Sequence, residues 1–239
     1  MNFNFSKPAG LLRMFNFLPL FATAALSAFV FSVASLFSSA QANEENPNYT
    51  IEVIVFETFA LRSWTEEYWP ETFELPDYET ALPLQDILNG SLTTPVTQTM
   101  KLKAQPDGLT SEAAKLTPKK GYRILFHQAW SQDTGADETM PKLLIDNAEQ
   151  TGSASHVSGT VKLYKSRYAH VEFDLEFERR IPDRVKADFM LHQKITADEF
   201  TPDYWRFKLK ESRKIRPNQL HYIDHPMFGV LVQIRYNGQ

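Results

Sequence analysis

The sequence predicts an α+β domain built on a mainly antiparallel sheet of about six strands, with one or two short helices in long connections. Three observations lead to this fold class. Short runs rich in β-branched and aromatic residues recur along the chain. Several of these runs alternate apolar and charged residues, as strands do when one face is buried and the other is in water. Long helical patterns do not alternate with the strands, which argues against a parallel fold.

The first half of the domain contains one strong strand and two long connections. Residues 49–57 (YTIEVIVFE) predict a buried first strand. Residues 58–83 are acidic and irregular, and residues 86–118 are rich in Thr, Gln and Pro. Within the second connection, Thr110 or Ser111 is typical of the residue that caps the start of a short helix.

The second half contains the remaining strands. They are predicted at residues 121–132, 157–164, 168–178, 218–224 and 228–236, with a further alternating segment at 205–210. The strands at 157–164 and 168–178 form a hairpin around Lys165, Ser166 and Arg167. Residues 180–203 predict a loop with a short helical turn.

Two of the alternating segments carry opposite charges. Residues 171–178 have four acids on their polar face, and residues 205–210 have three bases. If these strands are neighbours, the two faces form cross-strand ion pairs worth about 0.2–1 kcal/mol each. If they lie apart, the bases of residues 205–216 form a positive patch that suits an acidic ligand, such as the carboxylates of cell-wall peptides. The pattern favours neighbouring strands.

The first 42 residues predict export. Lys7 and Arg13 precede an uncharged run at residues 14–37, and Ala40-Gln41-Ala42 matches the small-x-small pattern of a cleavage site. We therefore expect a signal peptide cleaved after Ala42 and a single periplasmic domain at residues 43–239. The uncharged run is also long enough to span a bilayer, so an uncleaved N-terminal anchor is the alternative.

The composition excludes several function classes. The chain has no Cys, and therefore no disulfide, thiolate nucleophile, cysteine-ligated metal or lipidated cysteine. Without the two bases of residues 1–42, the formal net charge moves from −4 to −6. A charge of this sign argues against a nucleic-acid partner. The sequence motifs of P-loop proteins and of common serine and zinc hydrolases are absent.

Polar clusters offer two kinds of candidate chemistry. His221 and His225 have the i, i+4 spacing of a helical metal site, with Asp224 between them. Their flanks predict a strand and a turn, where this spacing separates the side chains by roughly 13 Å, so structural histidines are favoured over a metal. Asp174, Glu176 or Asp224 could form the carboxylate pair of a glycoside hydrolase, although a solvated acidic face is favoured. The sequence predicts no metal and no other cofactor.

The four tryptophans divide into two pairs. Trp130 and Trp205 lie on the apolar side of their strands, which predicts core packing. Trp64 and Trp69 lie in the acidic segment 58–83, and we expect them to be the better candidates for exposed contacts with sugars.

Several blocks of the sequence resemble a known family. They are YTIEVIVFE at 49–57, GYRILFHQAWSQ at 121–132, RYAH at 167–170, LHYIDHP at 220–226 and GVLV at 229–232. Together they resemble the CsiV family of periplasmic peptidoglycan-binding proteins, and the HYIDHP-x-x-G-V block is the most specific. The resemblance implies a non-enzymatic protein of Gram-negative bacteria that binds peptidoglycan. It also implies support for a class A penicillin-binding protein through that synthase's lipoprotein activator, with no membrane contact after signal cleavage.

Three functional hypotheses follow. In the first, a wall-binding module uses arginines for peptide carboxylates and tryptophans for sugars, with the 221–225 cluster close by. Its candidate residues are Trp64, Trp69, Arg123, Arg167, Arg213, Arg216, His221, Asp224 and His225. In the second, the acidic segment 58–83 binds a basic protein and the chain is an adaptor. In the third, an unrecognised carboxylate pair makes the protein a peptidoglycan hydrolase.

Overall fold

The structure is a computed structural model that describes residues 46–147, 155–196 and 202–238. The predicted signal segment, residues 1–42, lies outside the described residues. Among the helices that are described, none is both long enough and apolar enough to cross a membrane.

Ten strands in the described ranges form two sheets of five. They are β1 (Asn48–Thr58), β2 (Leu82–Pro83), β3 (Lys103–Gln105), β4 (Tyr122–Asp133), β5 (Leu143–Asp146), β6 (Ser155–Lys165), β7 (Ala169–Arg180), β8 (Tyr204–Lys214), β9 (His221–Asp224) and β10 (Phe228–Gly238). The first sheet has the order β3-β4-β1-β10-β9 and the second has the order β2-β5-β6-β7-β8. All neighbours are antiparallel except β2 and β5.

The prediction of a single sheet of about six strands is therefore wrong, although the antiparallel character is confirmed. The strands of both sheets carry apolar side chains on one face, and these side chains belong to one shared core cluster. Each sheet thus covers the apolar face of the other, which one sheet with short helices could not do. The connections also supply the short strands β2, β3 and β5, which have too few residues to show a pattern in the sequence.

Within the described ranges, five short α-helices lie in the connections. They are α1 (Ser63–Glu66), α2 (Leu84–Leu88), α3 (Pro95–Thr99), α4 (Thr110–Ala113) and α5 (Asp183–His192). The short helix expected near Thr110 is confirmed, but the prediction of its cap is wrong, because the N-cap is Leu109 and no side chain caps the helix. The predicted turn within 180–203 is a longer helix than expected, and α5 buries Val185, Phe189 and Met190.

The first strand is buried on both faces. Ile51, Val53 and Val55 belong to the core between the sheets, whereas Ile54 and Phe56 belong to a second cluster with Leu109 beside α4. β1 lies between β4 and β10, and Asn48 pairs with Gly238 at one end of the β1–β10 ladder. The first and last described strands are therefore direct neighbours.

The oppositely charged strands are neighbours, as the sequence favoured. Glu176 lies opposite Lys208 in the β7–β8 ladder. Arg206 Nη1 lies 3.1 Å from Glu176 Oε1, and Asp174 forms ion pairs with Lys208 and Lys210. The bases of the first part of β8 are thus neutralised within the sheet, and they are not part of a free positive patch.

The acidic segment 58–83 packs against the domain. The Phe73 ring lies under Arg206 and Lys208, and the Tyr78 hydroxyl is 2.9 Å from Ser158 Oγ. Asp174 is only 5% exposed in this arrangement. The prediction that the acids of β7 form a solvated face is therefore wrong for Asp174, because a lysine and the overlying segment exclude water from it.

Candidate functional site

The two tryptophans of the acidic segment lie in the core. Trp64 is fully buried and Trp69 is 5% exposed. Both pack edge-on against Phe207, with ring centroids 5.4 and 5.0 Å from it. The prediction of exposed sugar contacts is therefore wrong, because these are the largest apolar side chains of a polar segment and they anchor it. Trp130 and Trp205 are buried, as predicted.

Arg123 neutralises a buried carboxylate. Its Nε lies 2.5 Å from Oε1 of Glu57, which is fully buried. Arg179 Nε lies 3.3 Å from the other oxygen, and the Ser155 hydroxyl donates to that oxygen. This network joins β1, β4, β6 and β7. Removing Arg123 would leave an incompletely paired buried charge, so its role here is structural.

The most specific sequence block forms a corner, residues 221–229, which consists of β9, the following turn and the start of β10. His221 Nε2 accepts a hydrogen bond from the backbone N–H of Arg216, and His225 Nδ1 accepts one from Met227. Burial lowers the pKa of His225 to about 4, although Asp224 opposes the change. Burial also lowers the pKa of His221, and Arg213 adds to that effect. Both imidazoles act as acceptors within the fold.

The remaining polar groups of the corner are also engaged. The Tyr222 hydroxyl donates to Asp224, and the Tyr222 ring stacks on Phe56 with an interplanar angle of 18°. Gly229 makes this stacking possible, because a Cβ at this position would lie 2.7 Å from the Tyr222 ring and 2.8 Å from the Phe56 ring. The HYIDHP-x-x-G block therefore encodes packing and hydrogen bonding within the corner.

Arg213 also binds within the protein. Its Nη1 donates to the carbonyl oxygen of Tyr222 at 2.7 Å, and its Nη2 lies 2.6 Å from Glu211 Oε1. The guanidinium connects the end of β8 to β9. Two of the nine candidate residues, Arg167 and Arg216, line a common cavity.

That cavity is a groove of about 350 Å³, which we call the basic groove. Its lining residues are Tyr49, Lys165, Arg167, Tyr168, Ala169, Lys214, Ile215, Arg216 and Pro217. One wall is the β6–β7 turn and the other is the chain that leaves β8. The Ile215 N–H donates to the Ala169 carbonyl at 2.9 Å, which holds the walls together.

The four basic side chains of the groove have no acidic partner in the part of the chain that the structure describes. Among the described residues, no carboxylate lies within ion-pair distance of Lys165, Arg167, Lys214 or Arg216. Lys162 in the same hairpin, by contrast, lies 2.5 Å from Asp137. The groove cations contact an aromatic ring instead, since Lys214 Nζ is 3.1 Å and Arg167 Cζ is 5.4 Å from the centroid of Tyr168. The arrangement suits an anionic ligand.

Sequence reasoning missed seven of the nine lining residues, among them two lysines and the exposed tyrosine. Lys165, Tyr168 and Lys214 were not among the candidates, although the hairpin turn and the basic end of β8 were both recognised. The signal was the pairing of β7 with β8, because His170 opposite Lys214 brings the β6–β7 turn beside the last residues of β8.

A second polar cluster contains Glu52, Asp107 and His127. The side-chain atoms that could coordinate a metal ion lie within 4.8 Å of one another. Burial opposes ionisation of Glu52, but hydrogen bonds from His127, Leu109 and Gly108 outweigh it and lower the pKa. Arg235 Nη1 also lies 3.4 Å from this carboxylate. The donors around Glu52 therefore provide the stabilisation that a cation would provide, and they hold the 106–109 loop against β1.

The comparisons with known proteins give one match. The chain matches the family described as "Peptidoglycan-binding protein, CsiV" over residues 23–236. No curated protein and no solved structure matches it. The family match covers most of the chain and agrees with the resemblance of the sequence blocks. The chain belongs to the CsiV family of peptidoglycan-binding proteins.

Proposed function

We propose that the protein is a non-enzymatic, peptidoglycan-binding protein of the periplasm and that the basic groove is its contact with the wall. One observation carries the choice of site: four cations without an acidic partner among the described residues line a single groove on a chain of net negative charge. Peptidoglycan is an anionic polymer, and a local positive site attracts it despite the overall repulsion. The family's ligand supports the same function.

The periplasmic location rests on two supports. The predicted signal segment would export the chain, and the family's ligand lies in that compartment. We propose that residues 43–239 act there as one domain after cleavage, with no nucleic-acid partner, no metal and no cofactor.

The wall-bound protein would support wall synthesis. We propose that it assists a class A penicillin-binding protein through that synthase's lipoprotein activator, as the family resemblance implies. A binding assay with the purified activator, with and without the synthase, tests this role. We expect the activator to bind the protein directly, and a protein that binds neither of them would contradict the proposal.

An adaptor without wall binding is the second candidate function, and one observation favours it. The acidic segment exposes Tyr68 (60%) and Leu75 (52%) beside Glu67 and Glu71. Deleting the segment would remove Trp64 and Trp69 from the core, so surface substitutions are the proper test. Tyr68→Ser with Glu71→Lys should leave sacculus binding intact if the groove is the wall contact.

The first experiment is co-sedimentation of the protein with isolated sacculi, using protein expressed from the full chain. The supernatant is then analysed for released muropeptides. We expect the protein to sediment without releasing fragments. Released fragments would contradict the non-enzymatic function and direct attention to the carboxylates at 172–178 and 224. A protein that neither sediments nor cleaves would favour the adaptor.

A further inference from the structure

We infer that the basic groove recognises the stem peptide of peptidoglycan through two carboxylates at once and does not bind the glycan strand. The inference rests on the proposed function, because it names the part of the wall polymer that the same groove holds. Stem peptides are short and carry several free carboxylates, whereas the glycan strand presents mainly hydroxyl and acetamido groups.

The hydrogen-bonding character of the groove argues against a sugar. The four charged side chains offer only N–H donors, and no carboxylate or side-chain amide is among the lining residues. Sugar hydroxyls donate as well as accept, so a sugar site needs acceptors that this groove provides only at its two tyrosine hydroxyls and its backbone. A carboxylate only accepts and matches the donors fully.

The aromatic rings of the groove are not free to stack on a sugar face. Tyr49 is 6% exposed and packs against Tyr236, with ring centroids 5.3 Å apart. Tyr168 is 43% exposed, but Lys214 Nζ lies 3.1 Å from its ring centroid and Arg167 also contacts the ring. Stacking of a sugar would displace a cation–π contact.

The placement of the cations matches two carboxylates. Lys165 and Arg167 lie on the β6–β7 turn, and Lys214 and Arg216 lie on the chain that leaves β8. Each wall thus provides one guanidinium and one ammonium group. A guanidinium can bind a carboxylate with two hydrogen bonds. A cavity of about 350 Å³ is at the small end of ligand sites and suits the end of a short peptide.

Tyr168 acts as a positioning residue in this arrangement. Its ring contacts both Lys214 and Arg167, and so restrains a cation from each wall of the groove. Tyr168→Phe keeps the ring and should bind the peptide as the natural protein does. Tyr168→Leu should weaken peptide binding by about threefold, a loss in the range of an exposed cation–π contact.

The test is a direct titration of the protein with three defined probes. They are a synthetic stem pentapeptide with free carboxylates, the same peptide with every carboxylate amidated, and an oligomer of N-acetylglucosamine. We expect the free peptide to bind, amidation to weaken binding by about tenfold or more, and the sugar oligomer not to bind. Equal binding of the free and amidated peptides, or preferential binding of the sugar, would overturn the inference.

Charge-matched variants locate the site. Arg167→Gln with Arg216→Gln should weaken peptide binding by about tenfold or more, because each wall loses its bidentate donor. Arg167→Lys with Arg216→Lys keeps the charge and should cause a smaller loss. Lys119→Gln with Lys120→Gln is the control, since it removes two exposed charges that have no carboxylate partner in the described part of the chain. Equal losses in the control and in the double arginine variant would contradict the assignment.

The failures can be told apart. A natural protein that does not sediment with sacculi contradicts the proposed function, and this inference fails with it. Suppose instead that the protein sediments, that the double arginine variant does not, and that the sugar oligomer competes for binding while the peptide does not. The wall-binding function then stands, and only the choice of the stem peptide as ligand is wrong.

Discussion

The 221–229 corner and the basic groove are joined through Arg216, yet they use their polar groups in opposite ways. The backbone N–H of Arg216 binds His221 in the corner, while its guanidinium lines the groove. In the corner, both histidines, Tyr222 and Asp224 have partners within the protein. In the groove, four cations have no carboxylate partner in the described chain. The most specific sequence block therefore holds the fold together, whereas the region that we propose for binding has cations without a described carboxylate partner.

The largest expected effect tests whether Trp69 belongs to the corner's packing. Trp69→Ala should lower the free energy of unfolding by about 3–5 kcal/mol, because the ring is buried against Phe207 and His225. Urea unfolding measures the loss. The affinity of the folded fraction for sacculi should stay unchanged. If the variant kept its stability but lost affinity, Trp69 would belong to the binding site.

Gly229→Ala should destabilise the corner by about 1–3 kcal/mol, because the added Cβ meets the rings of Tyr222 and Phe56. A double-mutant cycle with Tyr222→Ala sharpens the test. If the Tyr222 ring is the obstacle, Gly229→Ala should cost clearly less in the Tyr222→Ala background. Equal costs in the two backgrounds would contradict this explanation.

The pH dependence of stability should report on His225. Its pKa is about 4 when folded and near 6.5 when unfolded, so the unfolded state binds more protons between these values. Stability should therefore fall as the pH drops through this window, by about 2 kcal/mol between pH 7 and pH 4.5 for this residue alone.

His225→Phe is the matched variant for that measurement. It keeps an aromatic ring beside Trp69 and Phe228 but removes the titrating group. The variant should be less stable at pH 7, because the Met227 N–H loses its acceptor, yet it should show a flatter pH dependence. An unchanged slope would show that other groups cause the acid sensitivity.

The smallest effect on stability is expected in the groove. Arg167→Gln with Arg216→Gln should change the free energy of unfolding by less than about 0.5 kcal/mol, since both side chains are exposed and neither has a carboxylate partner among the described residues. The same variant should lose sacculus binding. A large loss of stability would contradict the contrast between the two regions.

The parts of the fold that could be predicted are those with a repeating pattern. The alternation in β7 and β8 predicted both strands and their ion pairing, and the run at 49–57 predicted β1. The division of the strands into two sheets could not be predicted in this way. The short strands β2, β3 and β5 have two to four residues each and gain their order from neighbouring strands. Pairing across the whole chain is a tertiary property that local patterns do not contain.

The candidate site was predicted in part for a similar reason. Arg167 and Arg216 were identified from residue type, but so were Arg123 and Arg213, which bind Glu57 and Glu211. Residue type does not show whether an arginine already has a partner. Trp64 and Trp69 were misplaced because a polar segment gives no signal of the direction in which its large side chains point.

The pairing of β1 with β10 affects how the chain reaches its fold. The residues of β1 are separated by most of the domain from their partners in β10, so this ladder closes only after the last strand is available. Until then, one edge of a strand rich in Ile and Val remains open and can pair with another molecule. A chain that ends before residue 228 should aggregate or be degraded, and the full-length protein should gain protease resistance in a single late step.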